Sequence, residues 1–163
     1  MRRVLIIFVG GGTGACLRAL LLAGSASWGP TSPVLLANLL GSFLLGVVFV
    51  LADEAGLLSA PTRQFLAVGV LGGFTTFSTF GLGTDLLVAH GHAADAFQYL
   101  VAGVGGGVAA VIVGLLAGRE LVRALEGGAI AVLRRLEASG SRRPKGVKSE
   151  MDGIEAEDRE VSA

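Results

Sequence analysis

Residues 71–80 read LGGFTTFSTF. The stretch lies in one of the most apolar parts of the chain. Yet from Phe74 to Phe80 three phenylalanines and four hydroxyl side chains share seven residues, directly after Gly72-Gly73. Glycine inside a helix costs roughly 1 kcal/mol relative to alanine, so the pair predicts a break in the helix that carries it. In lipid, irregular backbone survives only where protein or water covers it. A break frees backbone carbonyls, and carbonyls can hold a cation. Beyond the break, a resumed helix places Phe77 and Phe80 on one face, with Thr76 near Thr79 and Thr75 near Ser78 on adjacent ones. Ring edges are electropositive and each hydroxyl offers a donor, so this lining suits a small anion better than a cation. No lysine or arginine in the run would hold an anion too tightly to let it leave. Taken one at a time, the same residues are explained by packing, with Ser and Thr bonded to their own i−4 carbonyls and Phe facing lipid.

Working outward, the chain has 163 residues, of which 52% are hydrophobic and only 16% charged, against about 25% for a soluble domain. Between residues 4 and 118 the ionisable groups that carry charge near neutrality are Arg18, Asp53, Glu54, Arg63, Asp85, Asp95 and the histidines His90 and His92. That span cannot supply a water-facing surface. The net charge of zero therefore hides a segregation. A window of about 19 residues finds four apolar spans, at about 4–23, 33–52, 65–88 and 96–117. Each matches the roughly 20 residues that cross a hydrocarbon core. The first begins with a positive MRR but runs on past Arg18 without a small-residue cleavage site, so it reads as a retained helix and not a signal peptide. The links are too short for a soluble domain. The lone Cys16 gives neither a disulfide framework nor a zinc cluster. The organisation expected is a four-helix membrane unit over 1–118, an amphipathic surface helix over 119–138 and a disordered polar tail over 139–163.

Other motifs carry less. VLIIFVGGGTGACLRAL starts like a dinucleotide fingerprint, but its glycine spacing is wrong and the first acid, Asp53, comes far too late to hold a ribose. Small residues that let another membrane helix approach explain it better. Asn38, in LLANLLGSFLLG, is costly in hydrocarbon unless paired. It is either interhelical glue or, with Ser42 one turn on, part of a polar track. Arg18 either snorkels to the interface or marks an ion path. His90 and His92 read as a solvated loop.

Three motifs in order, GGGTGACLR at 10–18, NLLGSFLLG at 38–46 and GGFTTFSTF at 72–80, together resemble the Fluc/CrcB fluoride channels over roughly residues 4–118. The resemblance implies an all-α membrane protein of four transmembrane helices, the third broken near Gly72–Thr75, assembled as an antiparallel dimer that exports fluoride passively through two pores. It implies pore roles for Phe77, Phe80 and Asn38, with Ser78 and Thr79 beside the rings and Ser42 on the same track. It implies a structural Na⁺ at the dimer interface, held by the backbone carbonyls of Gly72 and Thr75. Arg18 matches the arginine ending the first motif, as a vestibule or structural residue. Fourth helices of the family usually carry a pore-facing hydroxyl, whereas span four here has only Gln98 and Tyr99 near one end, so the polar wall is expected to be thin there.

The expected partners are fluoride, membrane lipid and a second subunit, either an identical chain or a homologue of opposite orientation; no nucleic acid is expected. Arg2 and Arg3 precede span one, Arg63 lies in the second link, and a basic series from Arg119 to Lys148 follows span four. Lys and Arg mark the cytoplasmic side, so both termini are expected there, in a multi-pass protein of the cytoplasmic membrane. The charge is not balanced as it would be in a chain that inserts both ways, which favours the homologous partner. The alternatives are a small four-helix transporter, which would need a membrane-embedded carboxylate for proton coupling, and a non-conducting assembly factor. No nucleophile–base pair or metal cluster at membrane depth suggests an enzyme.

Overall fold

The structure is a computed structural model that describes residues 1–29 and 31–140. All regular elements among them are helical. Helix α1 runs Arg2–Gly24. Helix α2 runs Ser32–Phe49, with Pro33 in its first turn, and widens into a π-helical turn over Val50–Glu54. Helix α3 opens at Ala60–Arg63, where the Ser59 hydroxyl caps the Thr62 amide. It passes through π-helical turns over Gln64–Leu71 and ends at Gly72–Phe74. Helix α4 is Phe77–Ala89, and helix α5 is Ala93–Gly140. Among the described residues four segments are long and apolar enough to cross a membrane: Arg2–Gly24, Ser32–Glu54, Ala60–Ala89 and Ala93–Gly128. They contain the four apolar spans read from the sequence.

Residues 1–123 form one compact unit, and the described residues beyond it belong to a second. In the second, residues 124–140 are helical. The polar tail expected over 139–163 lies outside the described residues apart from its first two positions.

Between helices in lipid, water gives no hydrophobic drive, so close backbone packing must hold them together. Helices α1 and α3 meet through glycine. A Cβ on Gly14 would strike the Val70 carbonyl and lie 2.8 Å from the Phe74 nitrogen, and one on Gly73 would strike the Gly11 backbone. On α2 and α5 the same device recurs, where a Cβ on Gly46 would lie 2.5 Å from the Val111 carbonyl oxygen and one on Gly114 would strike that of Phe43.

The break in the third span lies slightly later than the glycine pair suggests. Gly72 is helical, at φ −64° and ψ −34°. The extended residues are Thr75, with ψ 156°, and Thr76, at φ −148° and ψ 121°. Gly73 thus serves close approach to α1, and two threonines carry the break. At the far end of α2, Asp53 pairs with Arg63, and Glu54 forms a two-pronged ion pair with Arg119 at 2.8 and 2.9 Å. These pairs tie the end of α2 to the start of α3 and to α5.

Candidate functional site

An interrupted helix inside a bilayer must find partners for the peptide groups it frees. Here two side chains from other helices do so. The Asn38 carboxamide donates from Nδ2 to the Thr76 carbonyl at 3.0 Å and accepts the Thr76 amide on Oδ1 at 2.8 Å. It pairs with the Thr76 peptide as a neighbouring strand would. Arg18 donates from Nη1 to the Thr75 carbonyl at 3.0 Å. Of the two readings open for Asn38, the interhelical pairing is therefore realised, and Asn38 also lines the groove described below. Arg18 does not snorkel away from the protein but reaches into the break.

The hydroxyls beyond the break bond to one another. Thr76 Oγ1 accepts the Thr79 amide at 3.2 Å, capping α4, donates to Thr79 Oγ1 at 3.0 Å and lies 3.3 Å from Ser78 Oγ. Thr75 Oγ1 donates back to the Leu71 carbonyl at 2.9 Å. Thr76 is the residue whose importance the spacing alone understates. It is buried, caps α4 and supplies both peptide groups that Asn38 binds.

Beside the break lies a groove of about 290 Å³. Asn38, Ser42, Gly72, Thr75, Thr76 and Phe77 line it, together with Gly41, Leu45, Ala67 and Leu71. No charged side chain is among them. Five of the expected site positions, namely Asn38, Ser42, Gly72, Thr75 and Phe77, thus come together. Arg18 touches this group through Thr75, and Thr79 and Ser78 through Thr76.

Phe80 is placed elsewhere. Phe77 is 83% exposed and Phe80 4%, although their ring centroids are 6.3 Å apart. The shared face expected from their spacing is corrected by packing. Phe80 lies with Val34 and Tyr99 in a small core, its ring centroid 4.7 Å from that of Tyr99. Gly103 makes the room, since a Cβ there would strike the Phe80 ring. The Tyr99 hydroxyl is buried and has no hydrogen-bond partner among the described residues. Gln98 is exposed. Span four therefore offers one inward hydroxyl, with Gly107 facing Ser42 Oγ, which lies 3.6 Å from the position of a Cβ there.

The carbonyls proposed for a cation differ in state. A continuous helix would give the Thr76 amide to the Gly72 carbonyl; Asn38 takes it instead, so Gly72 loses that donor. The Thr75 carbonyl accepts Arg18 on one of its two lone pairs. Among the described residues no group of three or more His, Cys, Asp or Glu side chains is positioned to hold a metal. In the link after α4, His92 lies 3.4 Å from Asp95, both exposed.

The family profile described as CrcB-like protein, Camphor Resistance (CrcB), matches residues 5–115. A protein of Nocardia farcinica named Fluoride-specific ion channel FluC 2 is 40% identical over 122 residues, which cover 71% of this chain and 84% of that protein. One of Granulibacter bethesdensis named Fluoride-specific ion channel FluC is 42% identical over 127 residues, 76% of this chain and 99% of that protein. A FluC of Chloroflexus aurantiacus is 39% identical over 122 residues, 73% of this chain and 97% of that protein. With its four apolar spans and its interrupted third span, this chain belongs to the CrcB family of multi-pass membrane proteins.

Proposed function

We propose that this chain is a subunit of a fluoride-selective channel that lets fluoride leave the cytoplasm passively. The observation that carries the reading is the groove at the break, lined by neutral donors and an aromatic ring with no charged side chain. A fluoride ion that sheds water needs replacement donors. Asn38 has a second Nδ2–H beyond the one given to Thr76, and the Ser42 hydroxyl supplies another. The Phe77 ring offers an electropositive edge. Deeper in the subunit, Phe80 and the unpartnered Tyr99 hydroxyl form a second neutral set. Arg18 lies one residue contact behind the groove, so its charge favours entry without binding the ion directly. Weak sites in succession are what passage requires. A coupled transporter fits less well, since Asp53 and Glu54 are held in ion pairs at the end of α2 and Asp85 is exposed about one turn from the end of α4.

The channel is an antiparallel dimer in this reading. Support comes from the groove, which is open on the chain's surface, and from Phe77, which stands out of its own subunit. A structural Na⁺ fits the donor chemistry, because hard cations take oxygen ligands and the Gly72 carbonyl has lost its helical donor. The Gly72 and Thr75 carbonyls of one chain supply two oxygens, and a partner chain would supply others. When bound, the ion would add fixed positive charge at the interface. Arg18 already holds the Thr75 carbonyl in place for that role. Both termini face the cytoplasm, with a homologous chain of opposite orientation as partner, a reading supported by the basic residues at both ends. Labelling a C-terminal cysteine from each side tests this; labelling from both sides equally, with full activity of this chain alone, would contradict it.

Expression in a bacterium lacking its own fluoride exporter tests the function. Growth at otherwise inhibitory fluoride is expected when this chain is expressed together with its homologous partner, and no rescue with both chains shown to be in the membrane would contradict the proposal.

A further inference from the structure

At the start of α1 two cavities adjoin, and neither shares a lining residue with the groove at the break. One, of about 260 Å³, is lined by Arg2, Arg3, Ile6, Ala60, Pro61 and Gln64. The other, of about 580 Å³, is lined by Arg2, Leu5, Ile6, Val9 and Phe65. They share Arg2 and Ile6. The first sets Arg2, Arg3 and Gln64 beside the apolar Ile6, Ala60 and Pro61, and the second is apolar apart from Arg2. From Arg2 to Val9 the helix rises about 10 Å, which takes the pair from the level of a lipid headgroup into the acyl region.

We propose that these cavities form one binding site for an anionic glycerophospholipid, its phosphate at Arg2, Arg3 and Gln64 and an acyl chain along Leu5, Val9 and Phe65. The charge is available. Among the described residues the ion pairs engage Arg63, Arg119, Arg123 and His92, and neither Arg2 nor Arg3. Guanidinium groups match phosphate oxygens in a two-pronged geometry. The apolar part is open, with Leu5 62% and Val9 53% exposed. A soluble phosphate would occupy only the upper cavity, and a zwitterionic lipid would leave the two arginines uncompensated. An anionic lipid satisfies both halves. The site does not depend on the channel reading.

The chain's only tryptophan is Trp28, which permits a clean probe. In a Trp28→Phe background, Leu5→Trp places a fluorophore in the apolar half. The full chain is reconstituted with acyl-brominated phosphatidylglycerol or acyl-brominated phosphatidylcholine, and quenching gives the relative affinity. The expected preference for phosphatidylglycerol is about fivefold or more, the scale of one basic residue at a membrane surface. It is expected to fall to about parity in Arg2→Gln/Arg3→Gln, and inorganic phosphate in the buffer should not displace the lipid. Equal quenching by the two lipids in the starting protein, or a preference that survives loss of both arginines, would overturn the site. Displacement by inorganic phosphate would show a soluble-anion site instead, and absence of quenching by either lipid would show that protein covers the groove. Because charge changes at α1 can alter insertion, native mass spectrometry of the unaltered chain in detergent serves as a second measurement. A retained phosphatidylglycerol, lost on Arg2→Gln/Arg3→Gln, is expected; none retained would overturn the proposal.

Discussion

Asn38 shows how one carboxamide can hold a helix open. Its two ends match the amide and carbonyl of Thr76, so the freed peptide never faces lipid unpaired. Asn38→Asp keeps the acceptor for the amide but turns a second acceptor toward the Thr76 carbonyl. The expected cost is about 1–3 kcal/mol for the orphaned carbonyl, with fluoride flux lost, read by thermal denaturation in detergent and by efflux. Wild-type stability and flux would show that the pairing is dispensable. The two phenylalanines separate by burial. Phe77→Ile, at a ring that is 83% exposed, should leave subunit stability within about 0.5 kcal/mol while lowering flux. Phe80→Ile should lower both, because its ring fills the space over Gly103 beside Tyr99. Equal effects of the two changes on stability would contradict that division. The residue types were legible in the sequence, since hydroxyls, rings and one asparagine in apolar spans stand out by their cost. Their surroundings were not, because Gly103 and Asn38 lie on other helices and local spacing cannot see them.

At the level of elements, the break near Gly72–Thr75 could be read from the glycine pair, but not that Thr75 and Thr76 would carry it. Glycine marks either a bend or a close approach, and here Gly73 is used for the second, against Gly11. The bend falls at Thr75–Thr76 because partners for their peptide groups arrive from α1 and α2. Gly73→Ala should therefore act through α1: its Cβ would press on the Gly11 backbone and cost about 1–3 kcal/mol, as overpacking does. Gly81→Ala on α4, where a Cβ meets nothing within 4 Å, should be neutral or slightly stabilising. Comparing the two melting temperatures checks this, and equal shifts would show that Gly73 serves backbone freedom and not proximity.

For the whole molecule, the four spans were legible because crossing a membrane is set by length and composition, which a sequence displays directly. The lateral arrangement was not, because it depends on which glycines face which backbone and on ion pairs such as Glu54–Arg119 that join distant segments. The way two chains combine depends on surfaces that a single chain leaves open, above all the groove beside Phe77. The most direct test of function is efflux from liposomes containing this chain together with its homologous partner, loaded with fluoride and chloride and followed with an electrode selective for each ion. Rapid release of fluoride with chloride retained is expected, without any proton or sodium gradient to drive it. Equal release of both ions, or retention of both when the two chains are shown to be folded and inserted together, would contradict a fluoride-selective pore.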